Sequence, residues 1–270
     1  VSSHASSFYR FATAPLCPAA ILSLRHCSTV PPPSPLPPHW PTPLTGTIVV
    51  LGGTFDPVHI GHIALARRVA ESLSITPGTA PPVRTLFVPA ARSPHKATGP
   101  RASDEHRVRM LDIALAGWPE AGVWTDELSR PAPSYSVDTL ERLRSLAPGA
   151  ALRLLLGQDQ ALAFHRWREP RRIIDLAPPI VLPRRQHAGF SAGSAQSPRA
   201  FADALRVSGF WSEQEVDRWC AAMIDVGLLE VSSTHVRSLL AVGTITADAQ
   251  VGPYLPLGVL EYIRERALYE

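Results

Sequence analysis

From Thr47 onward, short apolar runs rich in β-branched residues alternate with longer stretches in which apolar residues recur every three or four positions. The runs of strand length are Thr47–Leu51, Arg84–Val88, Gly122–Thr125, Leu152–Leu156, Ile180–Leu182 and Leu228–Val231. Helical spacing begins at Gly61 and passes through Ile63, Leu65, Val69 and Leu73. It returns over Ser103–Ala116, Ser136–Ser145, Gln158–Phe164, Pro170–Asp175, Ser212–Met223, Ser233–Ala241 and Pro256–Arg266. Strands alternating with helices predict an α/β fold, with a largely parallel sheet wrapped by helices. Ligands in such sheets bind beyond the strand carboxyl ends. His59 follows the first strand, Lys96 the second and Asp159 the fourth, so the topology brings all three to one edge.

The pattern fails before Thr47. Eight prolines between Pro31 and Pro43 preclude a helix or a sheet strand there, and an extended polyproline-type linker is expected. Residues 1–44 are therefore read as a disordered extension outside the fold, and 45–270 as the domain. An apolar stretch at Ala14–Leu24 follows Arg10, but Pro15, Pro18 and the lack of a basic cluster argue against a signal peptide. The chain begins at Val1 and has no methionine before Met110, which points to a non-AUG start, a trimmed chain or a misplaced gene start. In the last case the true start lies between Val30 and Thr47. Within the domain, Ala188–Ala204, rich in Gly, Ser, Ala and Pro, reads as a mobile loop. Trp211, Val216, Trp219 and Met223 share one helix side, which suits core packing or contact with a second copy of the chain.

The densest chemistry lies at the first strand-to-helix junction, Gly52-Gly53-Thr54-Phe55-Asp56-Pro57-Val58-His59-Ile60-Gly61-His62. Two glycines let the backbone approach a ligand, Asp-Pro favours a turn, and the helix start offers free N–H groups and positive dipole to an anion. His59 and His62, three residues apart, can both face one point and donate to phosphoryl oxygens. Two histidines alone are as readily a packed or surface pair; the glycines and the turn favour a phosphate site.

Composition narrows the class a little. The 270 residues, 45% hydrophobic and 18% charged, suffice for one sizeable α/β domain with an extension. A net charge of +3 suits anionic small substrates, and no polybasic run argues for nucleic acid or membrane as a partner. No apolar run approaches the roughly 20 residues of a membrane span. Among the 26 basic residues Lys96 is the single lysine, and it sits in a Pro-His-Lys loop where a compact ammonium would touch phosphate as a mobile point charge. Of Cys17, Cys27 and Cys220 only the last lies in the domain, with no metal-binding spacing, so a reducing cytoplasm is expected and Cys220 reads as inert packing.

Five ordered segments resemble one family. His59-Ile60-Gly61-His62 matches the HxGH signature of nucleotidyltransferases. Ser93-Pro94-His95-Lys96 is similar to the PPHK element of bacterial nicotinate-nucleotide adenylyltransferases. Glu127-Leu128-Ser129-Arg130 with Pro133-Ser134-Tyr135-Ser136 and Asp138-Thr139-Leu140 resembles their ELxR…PSYTxDTL segment. Gly157-Gln158-Asp159 followed by Trp167 resembles their G(A/Q)D strand end, and Val231–Arg237 resembles ISSTxIR. The resemblance spans Thr47–Glu270 and implies a Rossmann-like, doubly wound fold with helices on both faces. It implies that ATP and nicotinate mononucleotide are joined, with pyrophosphate leaving and Mg²⁺ bridging the phosphates largely through waters rather than through a protein metal site.

Carried over residue by residue, the resemblance implies that His59, His62 and Lys96 are catalytic and that Gly52, Gly53, Thr54 and Phe55 hold ATP phosphates. Gly157 and Asp159 would lie beside the ribose, and Ser233, Thr234 and Arg237 would bind the leaving pyrophosphate. Lys96, Ser136, Trp167 and Arg168 would hold the mononucleotide, Trp167 stacking on its pyridine ring. The match departs at Ser93, where the family has proline, and at Arg168, where it often has tyrosine. By itself Ser233-Thr234 reads as a helix N-cap pair, Asp159 as a cap and Trp167 as core. Arg107 and Arg109 read equally as helix surface charges, while Arg184 and Arg185 follow a strand and are left unassigned. A phosphopantetheine adenylyltransferase would lack the Pro-Ser-Tyr and Gly-Gln-Asp…Trp elements. A class I tRNA synthetase would need a lysine-rich loop that a chain with one lysine does not have. A non-catalytic nucleotide-binding protein would be expected to have lost a phosphate ligand, and none is missing.

Overall fold

The computed structural model describes residues 31–270 except 79, 92–98, 184–197, 228–230 and 243–248. Five strands, β1 (Gly46–Gly53), β2 (Val83–Pro89), β3 (Ala121–Val123), β4 (Ala150–Gly157) and β5 (Pro179–Leu182), form one sheet in the order β3-β2-β1-β4-β5. Every pairing is parallel. The chain runs outward from β1 through β2 to β3 and then crosses back to β4 on the other side of β1. The carboxyl ends of β1 and β4 thus flank the switch point at which such folds open a crevice.

Strand periodicity explains the two layers. Ile48 and Val50 of β1 enter one core with Leu152, Leu154 and Leu156 of β4, while Val49 enters the other with Leu155. Helices α1 (Ile60–Ser74) and α2 (Asp104–Leu115) cover the second face, and α3 (Ser136–Leu146) and α5 (Pro170–Leu176) the first, with the short α4 (Gln158–Leu162) following β4. Beyond β5 come α6 (Pro198–Val207), α7 (Glu213–Ala221), α8 (Ser233–Leu240) and α9 (Val259–Glu265). This is the parallel α/β sheet that the strand–helix alternation predicts, doubly wound as the family resemblance implies. No described helix is long and apolar enough to cross a membrane.

Several expectations need correction or fall outside the described residues. The boundary expected at residue 44 does not hold, because the packed unit begins at Pro31. Trp40 and Leu44 are buried in the first core, with Leu36 packed against it. The Ser34 amide donates to Asp126 Oδ1 (2.9 Å), and the Trp124 indole donates to the Ser34 carbonyl (2.9 Å). Gly122 makes room for Pro37: a Cβ there would lie 2.3 Å from the proline ring. His39 of this segment also meets the Ala121 carbonyl of β3, the edge strand (3.1 Å). Prolines forbid regular hydrogen-bonded elements, but they do not stop the apolar residues between them from packing.

The expected loop at 188–204 lies outside the described residues as far as 197, and its last part is the start of α6. Phe201, Ala202 and Leu205 give that helix a buried face that the Ala/Ser/Pro composition disguises. Of the expected strand at 228–231, residues 228–230 lie outside the described residues, as do Arg184 and Arg185. Trp211, Val216 and Trp219 are buried in the chain's own core, so that helix side is packing rather than a surface for a second copy.

Trp40→Ala is expected to destabilise the protein by about 3–5 kcal/mol, the range for a large aromatic removed from a core. Urea denaturation checks this, and an unchanged midpoint would return residues 31–44 to the status of a linker.

Candidate active site

The loop between β1 and α1 is shaped by close fits. Gly53 lies against the Phe55 ring, where a Cβ would come within 3.0 Å, whereas a Cβ on Gly52 would meet open space. Phe55 adopts a left-handed backbone (φ 47°), a conformation rare for a bulky residue; its ring is buried against Phe87 and the edge of His62. Strain of this kind persists where the surroundings over-determine it, here a ring buried from both sides.

His59 is the N-cap of α1, and its amide donates to His62 Nδ1 at 3.2 Å. The two imidazoles stack with centroids 3.6 Å apart and planes 20° off parallel. Gly61 permits this: a Cβ would lie 2.7 Å from Val231 Cγ1 and 3.0 Å from His59 Nδ1. His59 is buried, and burial lowers its pKa to about 4, against a smaller opposing hydrogen bond from its own backbone. At neutral pH it is therefore an uncharged ring, which suits a close stack on a second imidazole.

A second helix start meets the same loop. Ser233 Oγ donates to the Pro57 carbonyl (3.0 Å), and Arg237 Nη1 donates to the Asp56 carbonyl. Arg237 also reaches Thr234 Oγ1 (3.2 Å) and lies 3.7 Å from the Asp56 carboxylate. The cap of α8 is Ser232, whose hydroxyl accepts from the His235 amide (3.2 Å). Ser233-Thr234 is thus not the N-cap pair its composition suggests, and its hydroxyls are turned to the loop and to Arg237. The N-termini of α1 and α8, with their positive dipole ends, converge around Asp56–His59.

Beside them, a cavity of about 140 Å³ opens at the switch point. Gly52, Gly53, Thr54, Ser136, Trp167 and Arg168, all predicted from sequence, line it. Trp167 stacks on the fully buried Phe164 (centroids 4.7 Å, 29°), so its ring has a firm backing. The Arg168 guanidinium lies 4.9 Å over the Tyr135 ring and pairs loosely with Asp138 (3.8 Å) and Glu169 (3.7 Å). Gly157 ends β4, and Asp159 lies in the first turn of α4 on the same sheet edge. Lys96 lies outside the described residues.

Sequence reasoning left two contributors unassigned. Arg107, open between surface and site on the pattern, is fully buried, and its Nη1 donates to the Thr54 carbonyl (2.7 Å), bracing the loop from α2. Glu127 lines the cavity, accepts from Thr139 Oγ1 (2.7 Å), and has its carboxyl pKa raised by burial, partly offset by that bond and by Arg130. The signal for Glu127 was its place in the ELxR segment; for Arg107 only its fit to the apolar face of α2 could have shown it. Among the described residues no three His, Cys, Asp or Glu side chains gather to hold a metal ion.

The fold and this crevice define a class. A family model described as cytidylyltransferase-like matches residues 50–239. A probable nicotinate-nucleotide adenylyltransferase of Acidithiobacillus ferrooxidans is 35% identical over 226 residues, 83% of this chain and 95% of that one. One of Rhodopirellula baltica is 35% identical over 198 residues, 73% of this chain and 83% of the other. Within the cytidylyltransferase-like class, the chain belongs to the nicotinate-nucleotide adenylyltransferase family. The solved structure of Plasmodium falciparum nicotinic acid mononucleotide adenylyltransferase complexed with NaAD superposes with a TM-score of 0.56 at 16% identity, covering 83% of this chain and 97% of that one, which shows a shared fold.

Because His59 titrates lower when folded than the ordinary value of 6.5, the unfolded chain binds the extra proton between about pH 6.5 and 4. Its contribution to stability is complete above that window and is lost as pH falls through it, by an amount on the order of 3 kcal/mol. Urea unfolding of wild type and His59→Gln across this range is expected to show a shallower acid limb in the variant. Parallel curves would mean that the ring is not held neutral.

Proposed function

We propose that this protein joins ATP and nicotinate mononucleotide to give nicotinate adenine dinucleotide and pyrophosphate, a step of NAD biosynthesis. The observation that carries the reading is the meeting of the α1 and α8 N-termini with His59, His62 and Arg237, directly beside a cavity walled by Trp167. One half of that arrangement suits polyanionic phosphate and the other a flat ring.

A phosphate oxygen of the mononucleotide attacks the α-phosphorus of ATP in line. The new P–O bond forms as the bond to the leaving pyrophosphate breaks, and no enzyme intermediate is needed. The protein's work is positioning and neutralisation. His59 and His62 donate to the α-phosphoryl oxygens. Nδ1 of His59 is turned to Gly61, which leaves Nε2, at the other side of the ring, for the ligand. The backbone of Gly52–Phe55 lies along the phosphates, where the open space at Gly52 admits close approach. Ser233, Thr234, Arg237 and the α8 N-terminus take the β- and γ-phosphates. Lys96 reaches the phosphates of either substrate, and Gly157 and Asp159 contact the ATP ribose.

The pyridine ring stacks on Trp167, with its carboxylate at the backbone of Ser136 and Arg168. ATP would arrive with Mg²⁺, which would offset the phosphate charge. The chain's own groups fit an ion that arrives with the nucleotide. The one buried carboxylate of the phosphate loop, Asp56, already accepts from two amides and a tyrosine hydroxyl, leaving it no role as a metal ligand. Its partners are these small molecules, in a reducing cytoplasm.

Purified protein with Mg²⁺, ATP and nicotinate mononucleotide is expected to release pyrophosphate and form the dinucleotide, with the acid preferred to the amide. No pyrophosphate from either mononucleotide would overturn the reading. His59→Ala is expected to lose about 2.7–4 kcal/mol of transition-state stabilisation, the cost of one oxyanion-type donor. A near-normal kcat/KM would remove His59 from the chemistry.

A further inference from the structure

Asp126, a carboxylate sealed from solvent, opens the short 3-10 turn Asp126–Ser129 that follows β3. Donors from three stretches of chain meet it. Arg142 of α3 donates to both of its oxygens (2.8 Å each), Arg130 forms an ion pair with it at 3.2 Å, and the Ser34 amide donates to Oδ1 (2.9 Å). Ser34 is itself fixed twice more. Its carbonyl accepts from the indole N–H of the fully buried Trp124 (2.9 Å), and its hydroxyl lies 3.3 Å from that of Ser129. A carboxylate held out of water depends on its donors, so the segment ahead of β1, the turn and α3 are held together through it.

Part of the substrate cavity is built on this junction. Glu127, the next residue of the turn, lines the cavity, and so does Ser136, the first residue of α3. Glu127 is joined to α3 again, since Thr139 Oγ1 donates to its Oε1 (2.7 Å) and Arg130 Nη2 donates to Thr139 Oγ1 (2.5 Å). The Ser134 hydroxyl, also at the cavity, donates to the Glu127 carbonyl (3.4 Å). The contacts of Asp56 run instead to Arg101, Ala102, Arg237 and Tyr269. The two carboxylates thus have separate sets of partners, one at the phosphate loop and one at the wall formed by Glu127 and Ser136.

We propose that Ser34 and Asp126 are positioning residues for the mononucleotide side of the site, with the segment 31–40 acting through the Ser34 amide to hold Glu127 and the start of α3 in place. The proposal rests on the reaction read above and gives the segment ahead of β1 a part in substrate recognition as well as in packing. Neither residue lines the cavity, so both act through the wall. A misplacement of about 1 Å in groups that orient a substrate can cost on the order of 100-fold, which makes the loss of one donor to Asp126 measurable in kinetics.

Ser34→Pro removes the amide donor and keeps the carbonyl that Trp124 meets. Ser34→Ala keeps the amide and loses only the hydroxyl contact. Arg142→Lys opens the junction from α3 by replacing a planar two-point contact with a single ammonium. With each substrate varied in turn, Ser34→Pro and Arg142→Lys are expected to raise the KM for nicotinate mononucleotide about fivefold or more and to leave the KM for ATP unchanged. Ser34→Ala should match wild type. Hydrogen exchange of the full chain without substrate reads the same tie: amides in residues 126–136 should exchange faster in Ser34→Pro and Arg142→Lys, and those in 52–62 at the wild-type rate.

Unchanged exchange in both variants would overturn the tie. Faster exchange with the mononucleotide KM unchanged, or with both KM values raised alike, would overturn the positioning role and leave Asp126 a stabilising group only. The two variants open the junction from different segments, so either one decides the matter where the other fails to fold. A wild type that turns over no mononucleotide would count against the proposed reaction, and the exchange measurement, which needs no substrate, would still decide the tie.

Discussion

The site hangs on one buried carboxylate. Asp56 is almost sealed from solvent and gathers groups from three distant parts of the chain: the amides of Arg101 and Ala102 just before α2 (2.8 and 3.0 Å), the hydroxyl of Tyr269 near the C-terminus (2.8 Å), and Arg237 of α8. An ionised carboxylate taken out of water must be met by donors or carry a cost of several kcal/mol, so the surroundings assemble around it as a set. Burial and the charge of Asp56 in turn push the Tyr269 hydroxyl well above the ordinary tyrosine range, keeping it a donor. The result is that α1, α2, α8 and the chain end are tied to the Thr54–Pro57 turn, and the two helix N-termini are held where they can act on one ligand.

That constraint also explains how an electropositive site is built with little formal charge inside it. His59 is neutral, Arg107 is paired with Asp104 while it braces the Thr54 carbonyl, and Arg237 is shared with Asp56. In the proposed reading the pull on an anion comes from the dipoles of two helix starts, which need no counter-ion and do not move when charge develops. The adjoining cavity works on a different principle. Phe164 under Trp167 presents a flat face, and the Tyr135–Arg168 pair closes the side nearest Ser136. In the proposed reading, phosphate recognition by dipoles and ring recognition by stacking meet at the switch point, where the loops after β1 and β4 diverge.

Much of this was legible in the chain as written. Five of six expected strands and every expected helix lie within a few residues of their observed positions, because period-2 and period-3.6 patterns are local properties of the chain. The loop Gly52–His62 declared its chemistry through residue types, and Gly61 between the histidines proves to be required by contact, since no larger residue clears Val231 and His59. What was missed shares one cause. The burial of Trp40 and Leu44, the contact of His39 with β3, the helix α6 inside a low-complexity stretch and the bracing role of Arg107 all depend on partners far away in sequence. So does the identity of the α8 cap, where Ser232 takes the role and leaves Ser233 to face Pro57.

Sequence alone determined the alternation of elements, the phosphate-handling loop and the family, since these rest on neighbouring residues and fixed spacings. Tertiary structure decided which charges count. Arg107 and Asp56 read as ordinary polar residues in a helix and a turn, yet burial converts one into a brace and the other into the knot joining three segments. His59 reads as a hydrogen-bond donor to phosphate whose charge the sequence leaves open, and burial makes it neutral. The physical reason is the same throughout: the energy of a charge depends on the water removed from it and the dipoles brought to it, and only the folded chain sets either.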